Sequence, residues 1–328
     1  MSARLRGIAK ETENIVRAGG YRTGDGRRVS LAGPLAAALE GTRPYGPEPV
    51  PVVPDTGRGT SFEVTGESSL QAARRMTSAA PGPVAVLNFA SARNPGGGYL
   101  NGAQAQEEAP CRASALYATL LRAPDHYAHH RAVRDPFYSD RVIHSPGVPV
   151  FRDDRGRLLD APFTVGFLTS PAPNAGVVAR DRPEESPRVP AVLASRAERV
   201  LEVAVAGGYR RLVLGAWGCG VFRNDPARVA GAFRALLVRP PEDAGGPGDV
   251  GAGAGGAGRF AGHFEQVVFA VLDRTAGAAT LAAFRRTFAA ETPGETARET
   301  MGETDDGAVD RTADSVAAGT GPPARHRP

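Results

Sequence analysis

The stretch 83–108, PVAVLNFASARNPGGGYLNGAQAQEE, decides how this chain folds. Its first seven residues, 83–89, are apolar without alternation apart from Asn88, the pattern of a strand buried on both faces. The chain then passes through a loop containing Gly96, Gly97 and Gly98, and a helix is predicted from about 106 to 121. A strand covered on both sides needs helices on either side, and the same alternation continues outward in both directions. Upstream lie a strand at 61–65 and a helix near 69–79. Downstream come short strands near 140–144 and 163–169, then a helix over 190–206 with Val192, Leu193, Val200, Leu201 and Val205 on its apolar side. A strand at 211–214, a helix running to about 238, a strand at 266–272 and a helix at 277–290 complete the series. The expected fold is a three-layer α/β/α domain with a mixed, mainly parallel central sheet over 61–290. Ligands in such sheets bind at the carboxyl ends of the strands.

Residues 1–60 read as an N-terminal extension. Leu5, Ile8, Ile15 and Val16 recur at helical spacing, and Leu31 to Leu39 form a second apolar stretch. Residues 41–60 are rich in Pro and Gly and read as an extended connector. The segment 241–259, PEDAGGPGDVGAGAGGAGR, reads as a flexible insertion. From Glu291 onward large apolar residues are scarce, and eight acidic residues face four basic ones, so a disordered acidic tail is expected.

The 328 residues are 41% hydrophobic and 23% charged, ordinary for a globular α/β protein. The formal charge is +4, and Lys10 is the only lysine. The arginines are scattered, which argues against the basic stripe of a sequence-specific nucleic-acid binder. Cys111 and Cys219 are the only cysteines and form no CxxC pair. The opening MSARLRGIAK lacks the apolar core of a signal peptide, and no run approaches the roughly 18–20 apolar residues of a membrane span. The expectation is a cytoplasmic monomer with no membrane association.

Two constellations carry chemistry. In the first, glycines 96–98 can take positive φ and offer unobstructed backbone N–H groups, suited to a phosphate or a sugar lying against the chain. A glycine triplet alone reads as a turn. Here Asn88 and Asn94 stand on one side, with amides able to hold sugar hydroxyls, and Gln106-Glu107-Glu108 on the other. Acidic residues favour helix starts through the dipole, which is the plain structural reading of the pair. A glycosidase pair flanking one bond needs carboxylates roughly 5–10 Å apart. Neighbouring side chains are expected to diverge, so unlike roles follow: one glutamate as general acid, its pKa raised by the other, and one orienting a sugar hydroxyl.

The second constellation is GAWGCGVFRNDP, 215–226. A strand–glycine loop–helix arrangement directs N–H groups at an anion. No Gly-Lys-Ser/Thr follows, and the glycines run GxxGxG rather than GxGxxG, so nucleotide hydrolysis and hydride transfer lose support. Asp225-Pro226 has the form of an N-cap followed by proline at the first helical position. Cys219 and Cys111 read as small packing residues, Trp217 as packing, and Phe222 as a candidate to pack on a sugar or base. His126 and His130 are spaced i, i+4 but lack the glutamate of a metalloprotease motif.

NFASARNPGGGYLNGAQAQEE followed by LGAWGCGVFRND resembles the bacterial-type poly(ADP-ribose) glycohydrolase family, a branch of the macrodomains. That family's signature is GGG, six to eight residues, then QEE; here YLNGAQA supplies seven. The resemblance implies a macrodomain fold and exo-hydrolysis of the ribose–ribose O-glycosidic bond, with no cofactor or metal. It implies Glu108 as the catalytic acid and Glu107 as the residue holding ribose hydroxyls. It implies Gly218, Cys219, Gly220, Val221 and Phe222 as the loop for the diphosphate and terminal ribose. Phe269, on the last strand, is the candidate for the adenine pocket. Partners would be ADP-ribose, its polymer, or ADP-ribosylated macromolecules. Two other readings stay open on the sequence: an ADP-ribose reader without turnover, and a hydrolase of mono-ADP-ribosylated protein or nucleic acid.

Overall fold

The computed structural model describes residues 2–52, 57, 59–240 and 257–292. In chain order the elements are α1 (Ala3–Ala18), the hairpin strands β1 (Gly20–Arg22) and β2 (Arg28–Ser30), α2 (Ala32–Gly41), β3 (Arg43–Tyr45), β4 (Ser61–Thr65), α3 (Ser69–Ala79) and β5 (Val84–Phe89). Then follow α4 (Glu108–Ala113), α5 (Leu116–Leu120), α6 (Pro124–Ala132), β6 (Val142–Arg152), β7 (Leu158–Ser170), α7 (Ala175–Asp181) and α8 (Val189–Ala206). The last are β8 (Arg211–Leu214), α9 (Pro226–Leu237), β9 (Gln266–Ala270) and α10 (Ala279–Thr287).

Seven strands form one sheet in the order β3-β6-β7-β5-β8-β9-β4. The β7-β5-β8-β9-β4 block is parallel, and β3 and β6 join it antiparallel. β5 lies at the centre of the order, and its alternate residues go to different sides. Val84 and Val86 pack with α1–α5, whereas Ala85 and Leu87 pack with α8, α9 and α10. That two-sided burial is why the strand reads as an unbroken apolar run. The result is the expected three-layer α/β/α arrangement. Since β5, β7, β8, β9 and β4 point the same way, the loops after them gather on one edge, including the triglycine loop after β5 and the 215–225 loop after β8.

Several local expectations need correcting. β3 was hidden in the Pro-rich 41–60 stretch; Pro44 fits because β3 is an edge strand. The two short strands near 140–144 and 163–169 are the ends of a long antiparallel hairpin, β6–β7, interrupted by register shifts between Ser145 and Val148 and between Val150 and Arg152. Pro146, Gly147 and Pro149 fall at or beside the first shift, which is where a sheet tolerates them. The helix expected over 106–121 breaks at Ser114, whose backbone is extended and bridges Val150. Its hydroxyl donates to Pro110 O at 2.7 Å and accepts from Leu116 N–H at 3.1 Å, joining the two short helices.

The 241–259 insertion lies outside the described residues except for 257–259, and these are pinned: Gly258 N–H donates to Ala235 O, and Arg259 pairs with Glu202 at 2.9 Å. The tail from 291 lies outside them beyond Thr292. Phe269, expected at an adenine pocket, is wholly buried. It faces the α9/α10 layer, with ring centroids of Phe233, Phe284 and Phe288 at 6.1, 5.7 and 4.3 Å. No ligand reaches it; it is a core residue. Phe269→Ala is therefore expected to cost about 3–5 kcal/mol in urea unfolding, the range for a deleted buried aromatic ring.

Candidate active site

The site is assembled at the carboxyl end of β5. Gln106 reaches back to that strand end: its Oε1 accepts from Phe89 N–H at 2.8 Å, and its Nε2 donates to Leu87 O and Ser69 Oγ, both at 3.1 Å. Both amide hydrogens are engaged with protein. Gln106, expected among the ligand-binding residues, acts in the structure as a splint that fixes where the next two residues lie.

Those two are Glu107 and Glu108, 2% and 6% exposed. Glu107 Oε2 accepts from Ser91 N–H at 2.6 Å. Glu108 Oε1 accepts from Gly98 N–H at 2.9 Å. Each leaves one oxygen buried without a partner, Glu107 Oε1 and Glu108 Oε2, and Asn88 Oδ1 is likewise unpartnered. Buried polar atoms are nearly always satisfied, so three unpartnered atoms on adjoining residues mark a place where a polar ligand completes the bonding. Asn88 is completely buried and donates from Nδ2 to Thr169 Oγ1 at 3.2 Å, which fixes its amide between β5 and β7. Asn94 is exposed, and only its backbone is engaged, with Ser91 Oγ and Gly97 N–H.

The triglycine loop positions the glutamates. Gly96 and Gly97 adopt φ of 65° and 58°, and the turn closes through Gly97 N–H to Asn94 O at 3.0 Å. Gly98 N–H goes to Glu108. Two of the three amides, those of Gly97 and Gly98, are thus committed within the protein, the second of them to a glutamate. A Cβ on Gly97 would lie 2.6 Å from Glu108 Oε1 and 3.0 Å from Glu107 Oε2. The expectation that neighbouring glutamates diverge is thus overturned. Loop amides draw both carboxylates toward one point, which only a glycine leaves open.

Burial raises the Glu107 carboxyl from its ordinary value to about 8; the neighbouring Glu108 charge adds to this, while the Ser91 and Asn88 hydrogen bonds oppose it. A proton therefore sits on this carboxyl near neutral pH.

The loop after β8 has the opposite character. Among the described residues, the N–H groups of Gly218, Gly220, Val221 and Phe222 have no acceptor, while Cys219, Arg223 and Asn224 close the loop internally. Gly218 has φ of 71°, and a Cβ there would meet Ala172 at 2.7 Å; Gly220 borders open space. Asn224 anchors the loop, donating from Nδ2 to Pro173 O at 2.8 Å. Asp225 caps α9 by accepting Arg228 N–H at 2.9 Å, so the free N–H groups here are those of the loop rather than of the helix end, a set suited to an anion. Phe222 is half-buried against Tyr138, with ring centroids 5.8 Å apart, and Val221 is exposed. Trp217 is buried and donates from Nε1 to Ser170 O at 2.9 Å, a packing role. Burial pushes the Cys219 thiol up to about 12, which removes it as a neutral-pH nucleophile. His130 is engaged on both ring nitrogens, with His126 O and Ser139 Oγ at 2.8 Å each.

Sequence reasoning missed the buttress behind the triglycine loop. Tyr99, next to Gly98, is fully buried and donates to Glu13 Oε1 on α1 at 2.9 Å, and Thr12 donates to Arg112 O on α4 at 2.7 Å. Nothing in the local sequence pairs residues so far apart.

The family model for the microbial-type PARG catalytic domain matches residues 9–153, which contain both the GGG and the QEE segments. The chain is similar to the crystal structure of the Thermomonospora curvata poly(ADP-ribose) glycohydrolase, at 50% identity over 88% of this chain and 100% of that one, with a TM-score of 0.78. The same enzyme bound to the inhibitor ADP-HPD matches at 49% identity over 88% of this chain and 100% of that one, with a TM-score of 0.76. The Deinococcus radiodurans poly(ADP-ribose) glycohydrolase in complex with ADP-ribose matches at 47% identity over 80% of this chain and 99% of that one, with a TM-score of 0.68. Comparison with curated proteins gives no match.

Two outcomes follow from the geometry. Gly97→Ala forces a side chain into a left-handed position at about 1–2 kcal/mol and pushes on both carboxylates; a folded protein with hydrolysis reduced at least about a hundredfold is expected, read by circular dichroism and product release. The raised Glu107 carboxyl also makes stability depend on pH. Between its ordinary value near 4.5 and about 8, the folded state holds a proton that the unfolded state has lost, so this group's contribution falls as pH rises through that window. The melting temperature should decline across it, and Glu107→Gln should flatten that decline.

Proposed function

The chain belongs to the microbial-type poly(ADP-ribose) glycohydrolase family, and on that premise we propose how its residues divide the work. It is a glycoside hydrolase acting on poly(ADP-ribose). The observation that carries the division is the contrast between the two loops: the first gives the Gly98 amide to Glu108 and leaves room for both carboxylates at Gly97, and the second leaves four N–H groups free. ADP-ribose lies along the sheet edge, its diphosphate over the N–H groups of Gly218, Gly220, Val221 and Phe222. Phe222 packs on the terminal ribose, and the scissile bond comes to Glu107 and Glu108 above Gly97. The ADP-ribose and ADP-HPD complexes of the two relatives support this ligand, and the exposed Asn94 amide lies beside the same loop for a hydroxyl contact.

In the proposed mechanism Glu108 gives a proton to the leaving ribose oxygen as the anomeric carbon–oxygen bond breaks. The positive charge that develops on the ribose ring is met by the nearby diphosphate. Water then adds to the anomeric carbon and returns its proton to Glu108, so the carboxyl is regenerated. Glu107 holds a ribose hydroxyl through its unpartnered Oε1. Cleavage proceeds from the chain end, releasing ADP-ribose. The raised Glu107 carboxyl favours a second division, in which Glu107 carries the proton and Glu108 grips the hydroxyl. A cytoplasmic, monomeric enzyme remains the working expectation.

The test compares glutamine variants at both positions. Glu108→Gln is expected to bind ADP-ribose normally by calorimetry while polymer hydrolysis falls about a thousandfold or more. Near-normal turnover in Glu108→Gln, with loss in Glu107→Gln, would transfer the acid role to Glu107.

A further inference from the structure

A cavity of about 300 Å³ lies on the far side of α4 from the glutamates. Ala109, Arg112 and Ala113 border it, and these share one helical face at i, i+3 and i+4; Glu108 and Cys111 do not border it. Arg4 and Ile8 of α1 form a second wall, and the β6–β7 turn at 152–156 a third. Ser68 and Arg274, from the loops after β4 and β9, border it at the same sheet edge that carries the proposed ligand cleft. The cavity therefore touches that edge and leads away from it.

Its charge is one-sided. Arg152 pairs with Glu11 at 2.9 Å, and Asp153 is held by Arg157 at 2.7 Å. Arg4, Arg112, Arg155 and Arg274 have no carboxylate partner among the described residues, against the single unpaired acid Asp154. Arg4 donates to Arg155 O at 3.4 Å and Arg112 to Ala103 O at 2.6 Å, so their hydrogen bonds go to carbonyls rather than to carboxylates. Burial lowers the Arg112 guanidinium, with the Glu108 charge opposing that fall and the Arg4 charge adding to it. A second hollow of about 320 Å³ shares Arg152–Arg155 and adds Arg74 and Arg157, extending the basic track across the start of α3. Guanidinium groups gathered in excess of the carboxylates among them are arranged for an anion, and their planar forks match the paired oxygens of a diphosphate.

We propose that this arginine track is a subsite for the poly(ADP-ribose) strand beyond the bond being cut, taking the diphosphate of an adjoining unit. This rests on the polymer hydrolase reading above. The track would hold the remaining strand against the enzyme without touching the reacting atoms, so it would set affinity for long chains and leave the chemical step alone.

The experiment measures hydrolysis of long poly(ADP-ribose) by the full chain, by R4E/R155E, and by R22E/R28E, which places the same charge change on the β1–β2 hairpin, at arginines that line neither hollow. R4E/R155E is expected to raise KM for long polymer about tenfold and to flatten its salt dependence, with kcat and the Kd for ADP-ribose within about twofold of wild type. R155A should show a smaller rise in the same direction. An unchanged KM in R4E/R155E, or an equal rise in R22E/R28E, would overturn the subsite. So would single-stranded oligodeoxyadenylate competing as strongly as ADP-ribose oligomers, which would reassign the track to nucleic acid. If the wild-type chain itself fails to cut polymer in this assay, the function falls; if it cuts polymer and KM ignores the arginines, only the subsite does.

Discussion

The Gln106 side chain is the fastening on which the reactive centre depends. It ties a loop to the end of the central strand through Phe89 N–H and Leu87 O, and to the start of α3 through Ser69. A carboxamide suits this position because it presents one acceptor and two donors in a fixed plane, without charge. A glutamate there could accept but not donate, and would add a third carboxylate to a crowded site. With Gln106 fixed, the positions of Glu107 and Glu108 follow from chain geometry, and loop amides set their orientation.

The two glycine loops divide two tasks that look alike in sequence. One glycine run positions acids; the other presents amides. The difference lies in where the N–H groups point, which depends on tertiary partners such as Asn94 O and the Glu108 carboxylate. That is why the triglycine segment read as a possible phosphate nest. The sequence pattern shows freedom from side chains, and only the folded partners show what the freedom is for.

Much of the architecture was legible for a physical reason. Strands buried on both faces are apolar runs without alternation, such as 84–87 within β5 and 212–214 within β8, and the structure places β4, α3 and β8 where the spacing put them. The misreadings cluster where long-range pairing overrides local signals. β6 carries Pro146 and Pro149 within a strand, because register shifts against β7 absorb them. Pro124 opens α6, and that helix buries His126, Tyr127 and His130. In the site, the residue types were readable, but the convergence of two adjacent carboxylates over Gly97 was not. Adjacent side chains normally part, and only the loop amides bring these together.

The place of β4 in the sheet bears on how the molecule forms. β4 lies at the sheet's edge, and its one strand neighbour is β9, from Ser61 against Gln266 to Thr65 against Ala270. The first strand of the parallel block therefore has no sheet partner until nearly all of the described chain has been synthesised. Phe62 waits equally for Phe288, against which its ring stacks at 5.6 Å. Closing so long a loop is slow compared with local pairing. The hairpin of β6 and β7 can form early, whereas the β4–β9 edge, with the cleft it borders, is completed last. Assembly is thus governed by the end of the chain, although the residues that do the chemistry lie in its first third.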